Sequence, residues 1–203
     1  MTSSFSSFQR ILICSIGNPG KTYRFTRHNL GHYVLDQIRN LLGFSVFKEH
    51  PLDLGSYAYH ERFPFVVLYQ SGVFMNESGK AVRRAWTRFC TDSLVYHLGE
   101  KPLLVIFHDD IEEKFGVVKV REQGKSRGHK GIRSCIEFLL TESFIRVSIG
   151  LGRPSEKSKN VADFVLQKFS PQELNYIHQK TIPEVIQTFE KLTRLKINKK
   201  NSE

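Results

Sequence analysis

The sequence predicts one α/β domain, and three observations carry that prediction. Residues 11–16 and 103–107 are short apolar runs bounded by turn residues, as in strands buried on both faces. Between and after them, apolar side chains recur at three- and four-residue steps, the spacing of amphipathic helices. Strand-like and helix-like segments alternate through 203 residues with no internal repeat and no linker.

The first run leads into a turn built on Gly17, Asn18, Pro19 and Gly20. Leu30, Val34, Leu35, Ile38, Leu41 and Leu42 then predict a helix over 29–42, ended by Gly43. His28 falls at the start of that helix, where the dipole disfavours an imidazolium. Residues 57–60 and 65–69 read as strands. A turn follows at 74–79, then a helix with Ala81, Val82, Ala85, Trp86 and Phe89 on one face. Its other face carries Lys80, Arg84 and Arg88, with Arg83 beside them. That stripe fits a phosphate-tracking surface and a solvated helix face equally. The run at 103–107 is a central strand ending in His108, Asp109 and Asp110. Residues 117–121 form another strand, and the loop at 122–131 is rich in glycine and basic residues. Ile132, Cys135, Ile136, Leu139 and Leu140 make a helix. Residues 144–151 alternate, with Ile145, Val147, Ile149 and Leu151 facing one way and Phe144, Arg146 and Ser148 the other. A polar, mobile loop is expected at 155–160. Ser170, Pro171 and Glu173 spell a capping box before a final helix bent near Pro183. The divisions are a flexible N-terminus at 1–9, the folded domain at 10–192 and a basic, disordered tail at 193–203.

The formal charge of +10 points to an acidic partner, nucleic acid before an anionic membrane surface, or to a merely basic soluble protein. Cys14, Cys90 and Cys135 form no C-x-x-C, so neither a disulfide framework nor a zinc site is suggested, and a reducing compartment is expected. No apolar run approaches the roughly 20 residues of a membrane helix.

Three polar turns follow strand-like runs: Asn18 with His28, Met75 with Asn76, and His108 with Asp109. If those strands are sheet neighbours, their ends converge. Asp109 then orients the His28 ring, and Asn18 and Asn76 offer amide donors to a carbonyl oxygen. That set suits attack of water on an acyl group. Taken singly, His28 reads equally as a helix-start residue, Asn76 as a turn residue and Asp109 as a cap. A nucleotide-binding reading competes, since residues 15–22 lie one residue from G-x-x-x-x-G-K-[ST]. Pro19 counts against it by removing an N–H from the phosphate cradle. Tyr23, Phe25 and Thr26 make a helix starting at Lys21 a poor fit.

Gly17–Asn18–Pro19–Gly20 with Tyr23, Thr26–Arg27–His28–Asn29 and Gly31 resembles the opening signature of the bacterial-type peptidyl-tRNA hydrolases. Phe74–Met75–Asn76 with Ser78–Gly79, His108–Asp109–Asp110–Ile111, Gly128–His129 with Gly131, and Ile149–Gly150–Leu151–Gly152–Arg153–Pro154 are similar to that family's later motifs, in order. The resemblance runs from about Leu12 to Phe189. It implies a single three-layer α/β/α domain with a central mixed sheet, monomeric, needing no metal and no cofactor. It implies hydrolysis of the ester between a peptide and the 3′ end of tRNA. By resemblance His28 activates the water and Asp109 orients it. Asn18 and Asn76 bind the substrate, Met75 lines the cleft, His129 flanks the peptide, and Tyr23 and Lys130 complete the substrate-binding set.

Two positions depart from the family pattern. Lys130 stands where the family has Asn, and a lysine cannot accept hydrogen bonds as an amide does. Turned toward His28, its charge favours a neutral ring; turned outward, it meets RNA. The family holds the tRNA 5′-phosphate with two basic residues; Arg121 matches one, and the other position is Ser148. Arg146, Lys125 and Arg127 are the candidates to replace it. An alternative reading is a family member that binds structured RNA without catalysis. Lys130 and the extra N-terminal residues lean toward a eukaryotic protein, mitochondrial or cytoplasmic.

Overall fold

The structure is a computed structural model that describes residues 10–91, 101–154 and 160–195. The N-terminal stretch 1–9, residues 155–159 of the polar loop and residues 196–203 of the tail lie outside the described residues.

Seven strands form one mixed sheet: β1 (Ile11–Ser15), β2 (Lys48–His50), β3 (Gly55–Ala58), β4 (Val66–Ser71), β5 (Leu103–Asp110), β6 (Val118–Arg121) and β7 (Ile145–Gly150), in the order β2-β3-β4-β1-β5-β7-β6. The four central strands are parallel, while β2, β3 and β6 join antiparallel at the edges. β1 is buried along its whole length because both faces are covered. Ile11 and Ile13 face one core; Leu12, Cys14 and Ile16 face the other.

On the first side lie α1 (Leu30–Leu42) and α6 (Ile182–Thr193), packed through Leu30, Val34, Leu35, Ile38, Val185 and Phe189. Each fully buried aliphatic side chain there contributes about 1.5–3 kcal/mol relative to exposure. On the other side lie α2 (Ser78–Thr91) and α3 (Lys130–Leu139), packed through Ala81, Val82, Ala85, Ile132 and Cys135. The expected three layers and mixed sheet are both present. The two helices of the second layer touch at Gly79, where an added Cβ would lie 2.0 Å from the Ser134 carbonyl oxygen.

The register sets Ser15 beside Gln70 of β4 and Phe107 of β5. The C-terminal ends of β4, β1 and β5 are therefore neighbours, as the motif argument required. Gly31 lets α1 start directly over β5, its absent Cβ falling 2.6 Å from the Phe107 carbonyl oxygen. Lys21–Tyr23 is a single 3-10 turn with no helix beginning at Lys21, so the nucleotide-loop reading falls.

Several boundaries differ from expectation for identifiable reasons. β2 was missed because it is a three-residue edge strand with Lys48 and Glu49 exposed. β5 continues to Asp110 because its polar end still pairs with β7. A short helix, α4 (Val161–Leu166), begins at Asn160, whose side chain accepts from the Ala162 N–H. The final helical run comprises α5 (Pro171–Tyr176), a π-helical turn (Ile177–Thr181) and α6. The wide turn lies just before Pro183, which has no N–H to close a regular turn. The capping box at Ser170 and Glu173 forms in full. The tail begins later than residue 193: Thr193 ends α6, and Leu195, 8 % exposed, packs into the core.

Candidate active site

His28 sits in a 3-10 turn, Arg27–Asn29, immediately before α1. Both its neighbours are anchored. Asn29 Oδ1 accepts from the Asn18 N–H at 2.8 Å, and Asn29 Nδ2 donates to the Asn18 carbonyl at 2.8 Å. This reciprocal pair ties the glycine-proline turn to the histidine. Arg27 donates to both oxygens of Glu173 at 2.8 and 3.2 Å and lies over the rings of Phe164 and Phe169. A side chain between two such fixed points has little choice of direction, and His28 faces the end of β5.

There its Nδ1 lies 2.9 Å from each oxygen of Asp109. His129 Nε2 lies 3.0 Å from Asp109 Oδ1, and the His28 and His129 ring centroids are 4.9 Å apart. The hydrogen bonds fix the tautomers. His129 N-caps α3, and its Nδ1 accepts from the Ile132 N–H at 3.2 Å, so its proton is on Nε2 and donates to Asp109. His28 donates from Nδ1 to the same carboxylate, which leaves Nε2 as the basic nitrogen. Among the described residues, His28, Asp109 and His129 are the group whose donor atoms lie close enough to chelate a cation. Both nitrogens facing Asp109 are spent on N–H donation, and the donor set thus serves a proton network.

Burial alone would push the Asp109 carboxyl up, but the two histidines hold it well below the usual carboxylate range. Burial alone would lower the His28 pKa, and Lys130 pushes the same way; Asp109 outweighs both and leaves it raised. The expected neutralising effect of the helix start is thus overridden by a carboxylate at hydrogen-bond distance. His108, buried behind the site, donates to the Asp109 carbonyl at 2.7 Å and is pushed down to about 3 by burial, so it stays neutral.

Asn18 Oδ1 accepts the Met75 N–H at 2.9 Å. A backbone N–H can bond only the oxygen end of that amide, so the NH₂ end is the one left for a substrate. Asn18, His28, Met75, Asn76, Asp109, His129 and Lys130 all border one cavity of about 1030 Å³. Tyr23 is the exception: it does not line the cavity, and its ring meets Phe74 edge-on at 6.4 Å.

The basic residues Arg121, Lys125, Arg127 and Arg146 line the other end of the same cavity. Arg121 and Arg127 are held by carboxylates and Arg146 is buried. Arg121 donates to Glu113 Oε1 at 2.6 Å and to Ser148 Oγ at 2.8 Å. Arg127 donates to Glu113 Oε1 at 3.0 Å and lies 3.3 Å from Asp110. Arg146 is buried, 3 % exposed, and stacks on Phe144 with its guanidinium carbon 4.2 Å from the ring centroid. Lys125 is exposed. The sequence reading missed Glu113, whose role depends on the pairing of β6 with β7. The stripe on α2 is also partly tied down: Arg83 donates to the Phe138 carbonyl, Arg84 to the Leu52 carbonyl and Arg88 to Asp53.

The family profile described as Peptidyl-tRNA hydrolase matches residues 12–203. A peptidyl-tRNA hydrolase of Thermodesulfovibrio yellowstonii is 32 % identical over 189 residues, covering 93 % of this chain and 95 % of that one. One from Geobacter metallireducens is 38 % identical over 165 residues, covering 80 % and 78 %. The crystal structure of peptidyl-tRNA hydrolase from Acinetobacter baumannii superposes with a TM-score of 0.67 at 25 % identity, covering 96 % of this chain and 99 % of that one. These relatives are bacterial and lend no support to a mitochondrial address. No helix among the described residues is long and apolar enough to cross a membrane. The chain belongs to the peptidyl-tRNA hydrolase family.

Proposed function

We propose that this chain hydrolyses the ester joining a peptide to the 3′ end of tRNA, with His28 as general base. The observation that carries the reading is the shared carboxylate: Asp109 receives one N–H from His28 and one from His129, which leaves His28 Nε2 as the free base. In this reading a water bonded to Nε2 gives up its proton and attacks the ester carbonyl carbon. The Asn18 NH₂ group donates to the developing oxyanion, and Asn76 and Met75 hold the peptide backbone beside it. The His28 imidazolium, stabilised by Asp109, then returns the proton to the departing 3′ oxygen. Ester and water give a carboxylic acid and a tRNA hydroxyl, with no redox change and no metal or cofactor required by the proton count.

The charge of +10 and the basic far end of the cavity support RNA as the leaving group, held through phosphate contacts by Arg121, Lys125, Arg127 and Arg146. The experiment is release of labelled peptide from peptidyl-tRNA by the purified protein beside His28→Ala. Removal of a general base is expected to lower kcat by about 100- to 10,000-fold. Release that survives the substitution rules out His28 as the base. RNA binding without release by the parent protein favours the binding-only reading.

A further inference from the structure

Arg121 on β6, Arg127 on the loop after it and Arg146 on β7 line the basic end of the cavity, where an RNA phosphate is expected, and Lys119 on β6 joins them through Glu113. Three of the four already hold one carboxylate. Glu113 Oε1 accepts from Arg121 Nη2 at 2.6 Å and from Arg127 Nη1 at 3.0 Å, while Oε2 lies 2.5 Å from Lys119 Nζ. The Glu113 side chain is 9 % exposed, and its carbonyl accepts from the Gly152 N–H at 2.8 Å. Asp110 backs the cluster at 3.3 Å from Arg127 and 3.7 Å from Arg121. Donors converging from three side chains on one pair of oxygens describe an oxyanion site.

Arg146 supplies a second, independent sign that an external anion belongs here. It stands directly opposite Arg121 in the β6–β7 register. Its Nη2 donates to the Glu142 carbonyl at 3.3 Å, whereas Nε and Nη1 are buried with no hydrogen-bond partner. Among the described residues no carboxylate lies within ion-pair distance of it, and the Glu142 carboxylate acts on its charge only from farther away. A buried guanidinium beside a like charge and without a close ion pair is unfavourable. Among the described residues the cluster thus sets four cations against the ion-paired acids Glu113 and Asp110, with Glu112 and Glu142 acting from farther off, and Arg146, the cation with no ion pair, lies beside Arg121.

We propose that Glu113 is a resident internal anion at the phosphate position of this site, and that an RNA phosphate binds by exchanging with its carboxylate. Glu113 then sets how tightly, and with what salt dependence, this chain holds RNA. The inference rests on the tRNA-ester reading above. Exchange follows from the donor geometry, because Arg121 is already committed on both Nη atoms, to Glu113 and to Ser148. Protonation does not release the cations. Hydrogen bonds from Lys119, ahead of those from Arg127 and Arg121, hold the Glu113 carboxyl down at about 2. Only a competing anion frees them. The exchange also touches the catalytic end, since Arg127 belongs to the loop that delivers His129.

The test is binding of deacylated tRNA to the parent protein and to Glu113→Gln across a salt series, beside peptide release by the parent. Glu113→Gln is expected to bind tRNA about fivefold tighter or more, the low end of ordinary coupling between competing ligands. Its plot of log affinity against log salt is expected to steepen by about 0.7–0.9, because in the parent the displaced carboxylate offsets the neutralisation of about one phosphate. Equal or weaker binding overturns the proposal and makes Glu113 a structural anchor for the arginines. If Glu113→Gln does not fold, Glu113→Asp keeps the charge but withdraws it by one methylene. It should then tighten binding by a smaller factor, and unchanged or weaker binding is again fatal. A parent protein that neither binds tRNA nor releases peptide brings down the tRNA reading together with this one. Binding by the parent with no gain in the variants overturns this one alone.

Discussion

At one end of the cavity two histidine N–H groups share one buried carboxylate; at the other, three cations share one carboxylate. The two clusters use the same elements of charge for opposite ends. Around Asp109 every hydrogen bond has a backbone-anchored neighbour, through the Ile132 N–H behind His129 and the Asn18–Asn29 pair beside His28. Proton positions there follow from the fold. Around Glu113 the partners are long side chains on an edge strand and a loop, and the arginines present nitrogens to whichever anion is stronger. A site that must move one proton is fixed; a site that must accept and release a polyanion is exchangeable.

The contrast breaks most sharply at Asp109. Asp109→Asn keeps the shape but removes the charge that stabilises imidazolium and the acceptor that fixes two tautomers. We expect kcat on peptidyl-tRNA to fall by about 100-fold or more. The direction of the residual pH profile follows from the same charge. Asp109 raises the His28 pKa, so its loss lowers that pKa and moves the acid limb of activity to lower pH. Activity at the parental rate would mean that the catalytic end is no more preorganised than the basic one.

A smaller effect is expected at the basic end. Arg121→Ala removes a group held by Glu113 and Ser148, and it should reduce the salt slope of tRNA binding by about 1. Loss of activity on peptidyl-tRNA should exceed the loss on a minimal peptidyl-nucleoside ester, which carries no distant phosphate. Equal losses on both substrates would place Arg121 in support of the catalytic end and erase the distinction between the two.

The same difference explains what could be read from the sequence. Asn18, His28, Met75, Asn76 and Asp109 lie in short motifs at the ends of β1, β4 and β5, and adjacency of three strongly apolar strands is enough to bring them together. The helices of both layers were legible from their apolar stripes, and the capping box at Ser170 from its spacing. At the basic end the cations were legible but their pairing with Glu113 was not. Arg121, Arg127 and Glu113 meet only because β6 turns back antiparallel on β7 and the loop after β6 folds over it. Neither edge pairing nor loop path leaves a periodic signal. Arg146 shows the limit well: alternation put it correctly on the face away from Ile145 and Val147, but gave no sign that it is buried there.

The finest test of the comparison is Lys130, a cation that borders the catalytic end. It is the first residue of α3, directly after His129, and it is exposed along the cavity wall. The groups that face His28 are Asp109, His129 and Lys130. Burial disfavours the imidazolium and Lys130 adds to that, while Asp109 opposes both. Activity requires neutral His28 and so falls as pH drops through its pKa. Removing the Lys130 charge lets that pKa rise further, and Lys130→Asn is expected to move the acid limb to higher pH, opposite in sign to Asp109→Asn. The pH–kcat profile on the minimal ester measures it free of RNA contacts. A limb that stays in place, together with a shallower salt slope on tRNA, would assign Lys130 to RNA and leave the catalytic end with no cation of its own.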